Sequence, residues 1–61
     1  MNITISKRSK GNYTYFNMDV NGINTIAMVT PYRIVAKDIN GSRKRFKLDA
    51  RFVDVINFMK G

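Results

Sequence analysis

Cysteine, histidine, glutamate and tryptophan are all missing from this 61-residue chain. Without Cys there is neither a disulfide nor a thiolate ligand, and without His there is no imidazole to hold a metal or move a proton near neutral pH. The acids are Asp19, Asp38, Asp49 and Asp54 alone. Asp19 and Asp38 open turn motifs, Asp49 precedes a helical pattern as a cap, and Asp54 lies on the polar side of that helix near Arg51. No acid pair is left over for general acid–base work or metal binding. The glycines have neither the spacing nor the helix context of a phosphate loop. An enzyme is not expected, and no catalytic residue, cofactor or metal is implied.

Long apolar runs are absent too. Nothing approaches the roughly 20 residues that span a bilayer, and the N-terminus lacks the basic-then-apolar order of a secretory signal. The expectation is a soluble, unprocessed chain in the cytoplasm, or in a host cell's cytoplasm if a phage encodes it; the lack of Cys fits a reducing compartment. Sixty-one residues make one domain, spanning 1–61, whose core is small enough that a homodimer is a reasonable way to complete it.

What the chain has in excess is positive charge, eleven Lys and Arg against four Asp, for a formal +7. Such a balance suits partners that present negative charge, whether nucleic acid, an acidic protein or an anionic membrane. Membrane docking is the poorest of these, because Lys7, Arg8 and Lys10 are few and no lipid-anchor motif accompanies them.

Alternation and turn residues predict five strands, over about 2–6, 13–18, 23–30, 32–37 and 42–48. The polar Lys7–Asn12 segment predicts a mobile basic loop, and Pro31 predicts a turn between the third and fourth strands. After Asp49 the period changes. Phe52, Val55, Ile56 and Met59 recur at helical spacing opposite Arg51, Asp54 and Asn57, predicting an amphipathic helix over about 50–60 with Asp49 as N-cap and Lys60-Gly61 at its far end. The fold class is α+β: a five-stranded antiparallel meander, either a single sheet or an SH3-like half-barrel, with the C-terminal helix packed on it.

Asp19-Val20-Asn21-Gly22 and Asp38-Ile39-Asn40-Gly41 share the pattern Asp-x-Asn-Gly. Treated as three-residue loops with a glycine bulge, they set the registers. The second pairs Ala36 with Lys44, Ile34 with Phe46 and Tyr32 with Leu48 on the core side, leaving Arg33, Val35, Lys37, Arg43, Arg45 and Lys47 outside. The first pairs Phe16 with Ile26 and Thr14 with Met28, leaving Tyr13, Tyr15, Asn17, Thr25, Ala27 and Val29 outside. In a single sheet, tyrosines and arginines then share one open face.

In element order, size and charge, with Leu48-Asp49-Ala50 leading into Phe52–Lys60, the chain is similar to small archaeal chromatin proteins that place a C-terminal helix after a five-stranded, SH3-like arrangement. The Gly-rich hairpin and the Trp of those proteins are not here. The resemblance implies an architecture and DNA binding. From the residues themselves, the functional expectation is a small nucleic-acid-binding protein, DNA before RNA, of modest sequence specificity. Arg33, Lys37, Arg43, Arg45 and Lys47 would meet phosphates, Tyr13 and Tyr15 would stack, and Lys7, Arg8 and Lys10 would form a secondary basic loop. The alternative is a regulator of the kind phages and mobile elements carry, docking on an acidic host protein through the tyrosines, Met28 and Phe58.

Overall fold

The computed structural model describes residues 2–61. It sets five strands, β1 (Ile3–Lys10), β2 (Tyr13–Val20), β3 (Ile23–Val29), β4 (Ile34–Lys37) and β5 (Arg43–Phe46), before one helix, α1 (Phe52–Met59). The strands lie side by side in chain order in one antiparallel sheet, so every connection is a local hairpin. Of the two arrangements expected, the open single sheet is the one formed.

Local chemistry explains each connection. Gly11, at φ +60, fits the first position of a two-residue turn with Asn12, and Lys10 lies opposite Tyr13. The turn is so tight that Lys7, Arg8 and Lys10 belong to β1 instead of a loop, which corrects the expectation for Lys7–Asn12. Asn21 and Gly22 both take left-handed angles, φ 52 and φ 89, as a two-residue type I′ turn requires. Val20 therefore faces Ile23, Met18 faces Thr25 and Phe16 faces Ala27. The three-residue loop expected here is not formed, and the expected pairs Phe16–Ile26 and Thr14–Met28 are each off by one residue. The neighbouring edge strand supplies the reason, since the Asn21 amide donates to the Asn2 carbonyl at 3.0 Å and the Asn2 amide donates to Asn21 Oδ1 at 3.0 Å. That pairing holds Asn21 in the ladder and leaves only the tight turn available.

Between β3 and β4 the Thr30 hydroxyl accepts from the amides of Tyr32 and Arg33, each at 3.1 Å, and the Thr30 amide donates to the Arg33 carbonyl at 2.9 Å. Pro31 and Tyr32 are the loop, so β4 starts at Ile34 and Tyr32 stands 82% exposed. This corrects the placement of Tyr32 against Leu48 on the core side; Leu48 lies beyond β5 and is exposed as well.

The second Asp-x-Asn-Gly segment does make the bulged loop. The Asp38 amide donates to the Ser42 carbonyl at 2.9 Å, the Gly41 amide donates to the Asp38 carbonyl at 3.0 Å, and Gly41 sits at φ +87. Ile34 faces Phe46 and Ala36 faces Lys44 as expected. Ile39, the loop's apolar residue, packs on the core and its amide donates to the Met59 carbonyl at 3.1 Å.

The core lies on one side of the sheet, where Met18, Val20, Ala27, Ile34 and Ala36 meet Val55 and Met59 of α1. Each fully buried Val or Met side chain contributes about 1.5–3 kcal/mol. Phe16 meets Phe52 at a centroid distance of 5.0 Å, and Phe46 meets Phe58 edge-on at 5.9 Å. The helix begins later than expected, with Arg51 at the N-cap position and no side-chain cap. Asp49 is spent in the turn before it, where the Ala50 amide donates to the Lys47 carbonyl at 3.0 Å. Arg51 instead pairs with Asp54 at 3.3 Å.

Candidate functional site

Residues directly opposite in an antiparallel ladder project on the same face. Following the pairings strand by strand gives one row, Arg8, Tyr15, Met28, Val35 and Arg45, that crosses all five strands on the side away from α1. Cations stand at both ends and apolar or aromatic side chains fill the middle. Lys10 lies opposite Tyr13 on this face, and Lys37 lies opposite Arg43. Arg33, two residues before Val35, lines the same surface.

The face is a broken trough of four adjoining clefts. One of about 310 Å³ is floored by Tyr15, Ile26, Met28 and Val35 and reaches Lys37 and Arg43. A second, about 570 Å³, opens between the Gly11-Asn12 turn and Pro31-Tyr32, with Tyr13 and Tyr15 on its walls. The third, about 280 Å³, joins them through Tyr13, Tyr32, Met28 and Arg33. A fourth, about 400 Å³, lies among Arg33, Val35, Arg43 and Arg45, with Lys44 also bordering it. No carboxylate lines any of the four. Among the described residues the only ion pair joins Arg51 to Asp54, so no cation of the trough is neutralised by a carboxylate. The Arg8 guanidinium instead rests 5.6 Å from the centre of the Tyr15 ring.

Most of the residues expected from the sequence meet here. Tyr13, Tyr15, Arg33, Lys37, Arg43 and Arg45 share the trough. Arg8 and Lys10, expected in a separate loop, join it from β1. Lys7 does not, because it pairs with Phe16 on the helix side. Lys47 is exposed beyond the end of β5 and lines none of these four clefts. Lys44 is also turned to the helix side, opposite Ala36, with its ammonium 5.1 Å from the Phe46 ring and 5.8 Å from the Phe58 ring. Phe58 therefore cannot join the tyrosines and Met28 in a single contact surface.

The expected register of the first hairpin put Ile26 and Met28 on the core side, and that of the second put Tyr32 there. The floor of the trough and its rim were therefore not expected on the basic face, although the alternative, protein-docking surface includes Met28 and the tyrosines. The signal for Ile26 and Met28 was present: Asn-Gly between alternating runs favours the two-residue turn that brings Met28 opposite Tyr15. Among the described residues no cluster of three or more acids, histidines or cysteines could hold a metal ion, and no helix is long and apolar enough to cross a membrane. Compared with protein-family models, curated proteins and solved structures, the chain matches none.

Proposed function

We propose that the open sheet face binds nucleic acid, with its cations on phosphates and its aromatic and aliphatic floor beneath the ligand. The observation that carries this reading is the arrangement of Arg8, Lys10, Arg33, Lys37, Arg43 and Arg45 on both flanks of an apolar trough that no carboxylate enters. Opposed rows of cations suit a polyanion lying across the strands, and the absence of acids removes the repulsion that would oppose it. Phosphate contacts carry no sequence information, so specificity is modest. DNA is the first ligand to test and RNA the second.

A salt titration tests the reading. With four to six phosphates engaged, a log-log plot of affinity against salt has a slope of about −3 to −4 on single strands, or about −4 to −5 on duplex. Undetectable binding at low salt to either kind of nucleic acid would sink it. A second reading, docking on an acidic protein in the manner of a small phage or mobile-element regulator, draws on the same apolar centre with a charged rim, Tyr15, Met28 and Val35 inside Arg8 and Arg45. A pulldown that keeps one acidic protein after nuclease treatment favours that second reading.

A further inference from the structure

Resting on the nucleic-acid reading, we infer that the ligand is an unpaired strand whose bases stack on Tyr13 and Tyr32. Three observations converge on this. The first is width. Five strands at a spacing of about 4.8 Å make a face about 19 Å across, wider than the ~12 Å major groove of B-form DNA, so the face cannot lie inside that groove. A duplex resting on the rims would touch the cations through phosphates and leave the floor uncovered.

The second is the floor itself. Ile26, Met28, Val35 and three tyrosines are apolar surface set between cations, and a phosphate backbone offers such surface nothing to bury. Bases of an unpaired strand do, since each has a π-face and stacking on an aromatic ring is tolerant of sequence.

The third is where the free rings stand. Tyr15 has Arg8 over one side of its ring, whereas Tyr13 is 46% exposed and Tyr32 is 82% exposed, and these last two wall the same pair of clefts. An exposed aromatic held on a two-residue loop by the Thr30 hydroxyl has no packing role to explain it. Asn12 and Lys10 border the larger cleft and offer polar groups to base edges or to the adjoining phosphate. At about 570 Å³ that cleft falls inside the ~300–1,000 Å³ typical of small-molecule sites, room enough for a base.

The test uses the full chain and four fluorescently labelled probes of equal length: oligodeoxythymidine, oligouridine, a mixed-sequence DNA duplex and the matching RNA duplex. The expected result is binding to at least one single strand at least tenfold tighter than to either duplex. Tyr32→Ala and Tyr13→Ala should each weaken single-strand binding about five- to a hundredfold with the salt slope unchanged, because a stacking contact and no phosphate contact is lost. Tyr32→Phe should keep nearly full affinity. Tyr32 is so exposed that its loss does not threaten the fold, and a thermal melt of each variant confirms that. Equal or tighter binding to a duplex, or Ala variants that bind single strands as the parent does, would overturn the inference and leave the basic-face reading standing. Failure of all four probes would remove the basic-face reading, and this inference with it.

Discussion

Two adjacent rows of side chains cross the sheet and differ in what lies above them. The row Lys7, Phe16, Ala27, Ala36 and Lys44 faces α1, and the row Arg8, Tyr15, Met28, Val35 and Arg45 faces away. Both begin and end in a cation. In the covered row the central residues are alanines, 1% exposed, small enough for Val55 and Met59 to close on the sheet. In the open row the same central positions carry Met28 and Val35, larger and with no element laid over them. Size, more than hydrophobicity, separates the two: small residues admit the helix, and large ones opposite build a floor. The cations diverge in the same way. Lys44 borders the same end cleft as Arg45, but its ammonium lies over Phe46 and Phe58 and covers aromatic surface, whereas Arg45 projects from the open face beside Arg33 and Arg43.

The largest difference between the two rows is expected at their centres. Ala27→Lys places an unpaired charge under α1 at a cost of about 3–5 kcal/mol, which equals the stability a domain of this size commands. The variant is expected not to fold, seen as loss of the cooperative thermal transition by circular dichroism. Met28→Lys, one residue away, is expected to stay within about 1 kcal/mol of the parent, because its long stem can lie along the trough with the ammonium in water. Had the first hairpin closed with a three-residue loop, Ala27 would face outward and the two results would be exchanged.

The row ends sharpen the contrast through binding. Removing both open-row cations, Arg8→Ala with Arg45→Ala, should lower the magnitude of the salt slope by about two and weaken low-salt affinity by on the order of tenfold or more. The covered-row pair, Lys7→Ala with Lys44→Ala, removes the same formal charge and should change the slope by less than about one. Equal effects from the two pairs would mean that net charge, and not the open face, governs binding.

How much of this could be read from the chain differs along it. The helix was legible because Val55, Ile56 and Met59 recur at one period and nothing interrupts them. The second hairpin was legible because only the bulged register of Asp38–Gly41 gathers Ile34, Ala36 and Phe46 on one face and Arg33, Lys37, Arg43 and Arg45 on the other. Strand β3 was not. Thr25 is 2% exposed with its hydroxyl unpartnered, while Ile26 and Ile23 are exposed. Polarity runs against burial there, so the pattern that normally assigns a strand's faces pointed the wrong way. Asp49 misled for a different reason: a good capping residue followed by a helical run identifies a helix start, but the Lys47–Ala50 turn consumed two of those residues first. The site was therefore half visible: Arg33, Lys37, Arg43, Arg45, Tyr13 and Tyr15 were placed on one face, whereas Arg8 and Lys10 join it only once β1 is extended, and its floor only once β3 is registered.

The register itself rests on a difference between two asparagines, which gives the smallest of the expected effects. Asn21 and Asn40 hold the same place in Asp-x-Asn-Gly, but only Asn21 has a positive φ, and only Asn21 is bonded to Asn2 of the neighbouring chain segment. Asn21→Ala must keep a left-handed angle that alanine disfavours and loses that side-chain bond, for a combined cost of about 1–2 kcal/mol. In a domain this small such a cost lowers Tm by roughly 4–16 °C. Asn21→Gly should recover the part due to the angle, which glycine accepts freely, and not the part due to the side-chain bond to Asn2. In Asn40→Ala the backbone amide still donates to Asp38 Oδ1, at 2.9 Å in the parent, and no unfavourable angle is involved, so its cost should stay below about 0.5 kcal/mol. If both alanine variants cost the same, the two loops share one geometry, Met28 loses its place opposite Tyr15, and the trough loses its floor. Unequal costs tie the open row to the turn that sets it, because shifting β3 by a single residue against β2 would exchange every side chain between the covered face and the binding face.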